Sequence, residues 1–269
     1  MIQKKYKYLV CDYDGTLVND KKIITPLTKK AINDFISRGG VFVVCTGRMT
    51  TGIDHIIKES GLNVLIASFN GAELIDIKND KVLFRNAIDN ETCLKILSML
   101  DGLDINVQVY PSNQYMVKKE TEKTKIYAKN SGVKVVVERD IKKYYLETGA
   151  DSSKILIYDD SEKLDKLFPI LKAELYNCEV VRSNNEQIDI NKKGISKGLA
   201  IKLIADYYNV STDDIIAVGD AGNDMAMLSQ AGLPIAMGNA SNEIKEISKI
   251  VCPDNNSDGI KFVIDNYCI

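Results

Sequence analysis

Short apolar runs recur along the chain, and each gives way to polar residues and glycine. Tyr8-Leu9-Val10-Cys11 leads into Asp12-Tyr13-Asp14-Gly15-Thr16, the run from Val41 to Cys45 into Thr46-Gly47-Arg48, and the run from Val64 to Ala67 into Asn70-Gly71. Between the first two runs, Thr25-Pro26 reads as an N-cap followed by proline at the first helical position. Leu27, Ala31 and Phe35 then recur every four residues, and Gly39-Gly40 ends the helix. The same grammar returns late: Ile215 to Val218 runs into Gly219-Asp220-Ala221-Gly222-Asn223-Asp224, and Leu233 to Met237 precedes a helix from about Asn242. Strands alternating with amphipathic helices predict an α/β fold with a parallel sheet covered by helices. In such sheets ligands bind beyond the carboxyl ends of the strands, where these polar loops gather.

The texture changes between about Leu83 and Asn191. INVQVY (105–110), QYMVKK (114–119), VKVVVE (133–138), KILIYD (154–159) and CEVVRS (178–183) are strand-like, interleaved with helices near Glu91 to Leu100 and Ser161 to Leu175. This predicts a core formed by residues 1–83 and 192–269, interrupted by an inserted α/β domain over residues 84–191. Arg182, Asn184 and Asp189, at the end of the insertion, are candidates for substrate contact and equally for ordinary surface.

Composition narrows the classes. Across 269 residues, 35 basic and 37 acidic side chains leave a formal charge of −2, without the basic excess of a nucleic-acid binder. No run approaches the roughly 18 apolar residues of a membrane span, so neither nucleic acid nor membrane is an expected partner. The six cysteines are widely spaced with no CxxC pair, and the single histidine, His55, falls in an expected helix. Zinc and a disulfide framework are therefore not expected, and a reducing cytoplasm is.

Asp12 and Asp14 at a strand end would point to the same side, where two like charges need a cation. A carboxylate there can attack phosphorus and form an acyl phosphate, while the second protonates the leaving oxygen and afterwards activates water. Attack on a phosphate needs positive charge and hydrogen-bond donors around the transferring oxygens. Thr46 offers a hydroxyl, Lys197 a point charge beside two glycines, and Asp220 with Asp224 oxygen ligands for a hard cation such as Mg2+. Each has a structural alternative: Thr46 capping a turn, Lys197 solvated, the two acids capping the next helix. Their occurrence together, in this order, favours the chemical reading. Replacing Lys197 by alanine is then expected to lower turnover without unfolding the protein.

The ordered set DYDGT, Thr46, Lys197 and GDAGND resembles the haloacid dehalogenase (HAD) superfamily. Over nearly its full length the chain is similar to the Cof-type branch of sugar-phosphate phosphatases, with further matches at TGR (46–48), NGA (70–72) and KKGISKG (192–198). The resemblance implies Asp12 as nucleophile, Asp14 as acid/base, and Tyr13, Thr46, Gly47, Lys197 and Asn223 as phosphate or substrate contacts. It further implies Mg2+ held by Asp12, the backbone carbonyl of Asp14, Asp220 and Asp224, on a Rossmann-like core with a large α/β cap of the C2B type. Two departures from the family pattern are Tyr13, where an aliphatic residue or Phe is common, and Met49, where proline is frequent. The expected activity is Mg2+-dependent hydrolysis of small phosphorylated metabolites. The alternatives are a phosphohexomutase or phosphotransferase and, from a different class, a phospho-accepting signalling module.

Overall fold

A computed structural model describes residues 4–269, apart from the side chains of Ser183 and Asn184. Residues 1–3 of the expected core lie outside this range. The chain separates into two compact units, one comprising the residues up to Arg48, Asp54–Phe84 and Ser196–Ile269, the other Met49–Ile53 and Arg85–Ile195.

The first unit is built on an eight-stranded sheet in the order Ile250–Val251, Leu233–Ala236, Ile215–Gly219, Tyr8–Asp12, Val41–Cys45, Leu65–Ser68, Glu73–Asp76 and Lys81–Arg85. The first six strands run parallel, and Glu73–Asp76 turns back antiparallel on Leu65–Ser68. All five residues of Tyr8–Asp12 are buried, as are those of Ile215–Gly219. A strand covered on both faces needs a continuous apolar run, which is what the sequence supplies at both places. From the central Tyr8–Asp12 the chain proceeds to Val41–Cys45 on one side and returns later as Ile215–Gly219 on the other. That reversal opens a crevice at the carboxyl ends of these strands, and the register sets Asp12 beside Cys45 and Cys11 beside Val218.

The first helix, Pro26–Ser37, starts as its sequence requires, with Thr25 Oγ1 accepting from the Thr28 N–H and proline in the first turn. Its buried face is Thr28, Ala31, Ile32 and Phe35, and Leu27 is 55% exposed. Strict fourfold spacing drifts off the 3.6-residue turn, so Ala31 and Phe35 of the sequence stripe face the core while its first member, Leu27, falls off that face.

The second unit has a six-stranded sheet, ordered Cys178–Asn184, Gln187–Lys192, Ile155–Tyr158, Val107–Val109, Tyr115–Val117 and Val135–Val137, antiparallel except for its last pair. One face packs Val109, Met116, Ile155, Ile157, Ile188 and Ile190 into its core, with helical residues such as Ile96 and Leu164. Met49–Ile53 joins this unit at Gly52, where a Cβ would lie 2.3 Å from the Ser131 carbonyl oxygen, a contact only glycine permits. All six cysteines are free and buried. No helix among the described residues is long and apolar enough to cross a membrane.

Candidate active site

Four of the residues singled out in the sequence converge in the first unit. Asp12 ends the central strand and is 5% exposed. Lys197 begins the helix Lys197–Tyr208 and is only 1% exposed, where lysine is almost never buried without a partner. Its ammonium lies 2.6 Å from Asp12 Oδ1 and 2.6 Å from Asp224 Oδ1. Burial pushes the Asp12 carboxyl up to about 7, with the Lys197 charge pulling it down and the Asp224 charge pushing it up. Burial also works against the Lys197 ammonium, but the two carboxylates outweigh it and its pKa is raised. The solvated alternative for Lys197 is thereby excluded, and beyond the phosphate-site charge the sequence suggested it is the interior counter-ion of two buried acids.

The loop after Ile215–Gly219 is folded around Asp224. Its Oδ2 accepts from the backbone N–H groups of Asp220 (2.9 Å) and Ala221 (3.0 Å). It occupies the N-cap position of the helix Met225–Gln230 without a side-chain capping bond there, so this acid serves the loop and Lys197 instead. Asp220 Oδ1 accepts from the Thr16 hydroxyl at 2.7 Å, and burial raises its carboxyl above the usual range against that bond. Gly15 makes the junction possible: its φ is +75°, and a Cβ there would lie 2.5 Å from Asp220 Oδ2. The DYDGT turn and the GDAGND loop thus interlock.

Carboxylate oxygens of Asp12, Asp220 and Asp224 lie within 4.8 Å of one another. Three acids share one ammonium, an imbalance that a divalent cation corrects. An all-oxygen donor set of few carboxylates suits Mg2+, which keeps several waters and takes phosphate oxygens as further ligands. The residues present fit that ion.

Asp14 behaves differently. Its carboxylate is gripped by Arg48, Nε to Oδ2 at 2.6 Å and Nη2 to Oδ1 at 2.9 Å, and by Lys22 Nζ at 2.7 Å. Burial pushes its carboxyl up, but the bonds to Arg48 and Lys22 outweigh this and hold it below the usual range. The side chain stands outside the three-carboxylate cluster. Tyr13 buries its ring beneath the Arg48 guanidinium, 5.7 Å from the centroid, and burial pushes its phenol up to about 12.

Thr46 is buried, its Oγ1 accepting from the Arg48 N–H at 3.1 Å, so the turn-capping role is present. Its backbone N–H donates to Ala67 and its carbonyl accepts from Asn70, fixing the loop on the neighbouring strand. Gly47 faces the Asn70 side chain, whose Oδ1 would sit 3.0 Å from any Cβ placed there. Asn223 is exposed on the turn Gly222–Asp224 and is not brought into the cluster. In the second unit Arg182 is paired with Asp165 and Asp189 with Lys154, while the Asn184 side chain lies outside the described residues. Sequence reasoning assigned no role to Thr16, Lys22 or Arg48. Thr16 and Arg48 sat inside the DYDGT and TGR motifs, whereas nothing distinguished Lys22 from its neighbour Lys21.

The chain is similar to known proteins over nearly its full length. The profile of the haloacid dehalogenase-like hydrolases matches residues 9–264. The chain is 27% identical over 285 residues to the 5-amino-6-(5-phospho-D-ribitylamino)uracil phosphatase of Bacillus subtilis, covering 96% of this chain and 97% of that protein. A crystal structure from Thermotoga maritima superposes with a TM-score of 0.90 at 28% identity, covering 98% of each chain. A haloacid dehalogenase-like hydrolase from Bacteroides thetaiotaomicron does so with a TM-score of 0.87 at 25% identity, covering 97% of this chain and 99% of the other.

Proposed function

Since the chain belongs to the haloacid dehalogenase-like hydrolases and is a phosphomonoesterase of that family, we propose that it hydrolyses small phosphorylated metabolites, chiefly sugar and polyol phosphates, through a phosphate ester of Asp12. The observation that carries this reading is the buried clasp in which Lys197 holds Asp12 and Asp224 at 2.6 Å each. It fixes one carboxylate oxygen of Asp12 and keeps positive charge where a phosphate would develop negative charge.

In the first half-reaction an Asp12 oxygen attacks phosphorus as the bond to the ester oxygen breaks, and Asp14 gives a proton to the departing alcohol. In the second, Asp14 takes a proton from water, the water oxygen attacks phosphorus, and inorganic phosphate leaves with Asp12 restored. Arg48 and Lys22 hold Asp14 ionised in the free protein, the state that accepts the water's proton, so the proton it gives the alcohol in the first half-reaction is one it takes up from the phosphate ester's monoanion as substrate binds. Thr46, Gly47 and Lys197 are the phosphate contacts, with Tyr13 and Asn223 at its margin. Mg2+ held by Asp12, Asp220, Asp224 and the Asp14 carbonyl supplies charge neutralisation for the carboxylates and the phosphate oxygens.

The inserted segment, residues 84–191, is assigned the role of a cap that selects substrate. The polyol preference draws on the Bacillus relative, whose named substrate carries a phosphoribityl chain. Six unpaired thiols suit a reducing cytoplasm. The test is a panel of phosphorylated metabolites with Mg2+ present, scored by phosphate release and ranked by kcat/KM. Sugar and polyol phosphates should lead the ranking. Transfer of phosphate to a second hydroxyl, or activation only by a bisphosphate, would replace hydrolysis by the phosphotransferase reading, and a phospho-Asp12 lasting minutes to hours would support the signalling one.

A further inference from the structure

The second unit carries a cavity of about 330 Å³ at the edge of its core, made of residues with no part in the Asp12 site. Its floor is apolar: Leu97 and Leu100 from the end of the helix Asn90–Met99, Val107 from the sheet, and Ile141 from the start of the helix Ile141–Thr148. Its rim is cationic, with Lys118 following the strand Tyr115–Val117 and Arg139 and Lys142 flanking the start of the second helix. Two carboxylates share the rim. Asp140 is committed to capping, accepting from the Lys143 N–H at 2.9 Å, and Asp101 follows the first helix. Among the described residues, Lys118, Arg139 and Lys142 form no salt bridge with either acid or with any other.

Three unpaired cations around one opening repel one another, and the apolar side chains below them, more than nine-tenths buried at Leu97, Leu100 and Ile141, form a base that offers water in the cavity no hydrogen-bond partner. One kind of occupant relieves both. We propose that this cavity is a second ligand site, taking a small amphipathic organic anion whose apolar body rests on Leu97, Leu100, Val107 and Ile141 and whose acidic group meets Arg139, Lys142 and Lys118. The volume falls at the small-molecule end of known pockets, which run from roughly 300 to 1,000 Å³. Arginine suits the acidic end because its planar fork meets carboxylate, sulfonate or phosphate oxygens in pairs. The inference is independent of the phosphatase reading.

The probe is 8-anilino-1-naphthalenesulfonate, an apolar ring system bearing one anionic group, titrated into the full chain by fluorescence and by calorimetry for stoichiometry. One saturable site is expected, weakened about tenfold or more in Arg139→Glu/Lys142→Glu and less in Lys118→Gln, with affinity falling as salt is added. Ile170→Lys, on the helix Ser161–Glu174 in the neighbouring apolar groove, which shares only Leu103 and Ile105 with this cavity, should leave binding unchanged. Far-ultraviolet circular dichroism identifies any variant that fails to fold, and Lys118→Gln, on a separate element, then carries the test. Absence of saturable binding, binding indifferent to both charge variants, or binding lost in Ile170→Lys alone would overturn the proposal.

Discussion

Replacing Lys197 by alanine tests the clasp most directly. The side chain is 1% exposed and bridges two carboxylates at 2.6 Å, one of them fully buried. Removing one partner of a buried ion pair costs roughly 3–5 kcal/mol, because the remaining charge is left desolvated. For a unit of about 150 residues, 1 kcal/mol moves Tm by about 2–4 °C, so the expected loss in EDTA is about 6–20 °C. Added Mg2+ should recover part of that loss, since it supplies the missing counter-charge to Asp12 and Asp224. The pH dependence has a definite sign. Without the ammonium the Asp12 carboxyl is raised further in the folded state, and a raised carboxyl gives stability at low pH that is lost as pH rises through the folded value. The deficit against wild type should therefore be smaller near pH 5 than near pH 8.

Lys197→Met separates charge from packing, because it keeps an unbranched stem of similar length. Melting would be followed by circular dichroism for wild type and both variants, with EDTA and with excess Mg2+, at both pH values. Turnover should fall on the order of 10²-fold or more in each variant, as when a group stabilising transition-state charge is lost. If Lys197→Ala melts within about 1 °C of wild type in EDTA at both pH values, or if Lys197→Met restores full stability near pH 8, charge compensation is not what this lysine provides.

Asp12→Asn should lower turnover by several orders of magnitude and abolish the phosphoenzyme trapped by acid quenching. In EDTA, wild type should lose stability relative to this variant as pH rises from about 4 to about 7, by at most about 4 kcal/mol and with little further loss above that, because ionising buried Asp12 opposes folding. Thr16→Val removes the hydroxyl that orients Asp220 and should raise the Mg2+ concentration for half-maximal activity about tenfold, in keeping with a hydrogen bond to a charged group; full activity in excess EDTA would refute the metal assignment. Arg48→Ala frees the Asp14 carboxylate and should lower kcat by up to about 10²-fold with little change in Tm, whereas Lys22→Ala, exposed and singly bonded, should cost only a few-fold. Equal kcat in Arg48→Ala and wild type would show that this pairing does not position Asp14.

The sequence reveals most where one local signal does the work. Val41–Cys45 and Ile215–Gly219 are read closely because a strand buried on both faces must be apolar throughout, and the motif residues follow directly from where each strand stops. Local signal fails for the hairpin of Glu73–Asp76 and Lys81–Arg85. The second of these is an edge strand with no fully buried residue, so no alternation marks it. It also fails for Glu122–Ser131, a strongly polar helix whose apolar stripe is weak, although Thr121 caps it in full view of the sequence.

What no local pattern can carry is burial of charge, a property of partners far apart in the chain. Lys197 meets an acid 185 residues away, and a lysine between glycines reads as solvated until Asp12 and Asp224 are both placed around it. Arg48 and Lys22 likewise acquire a role only once two loops bring them to Asp14. The four motifs therefore name the groups of the proposed reaction while leaving their protonation open. That follows from which cation each acid faces: Lys197 shares itself between two buried carboxylates and leaves Asp12 up near 7, while Arg48 and Lys22 both serve Asp14 and hold it ionised. The two aspartates of one five-residue turn are thus set apart by residues the turn does not contain.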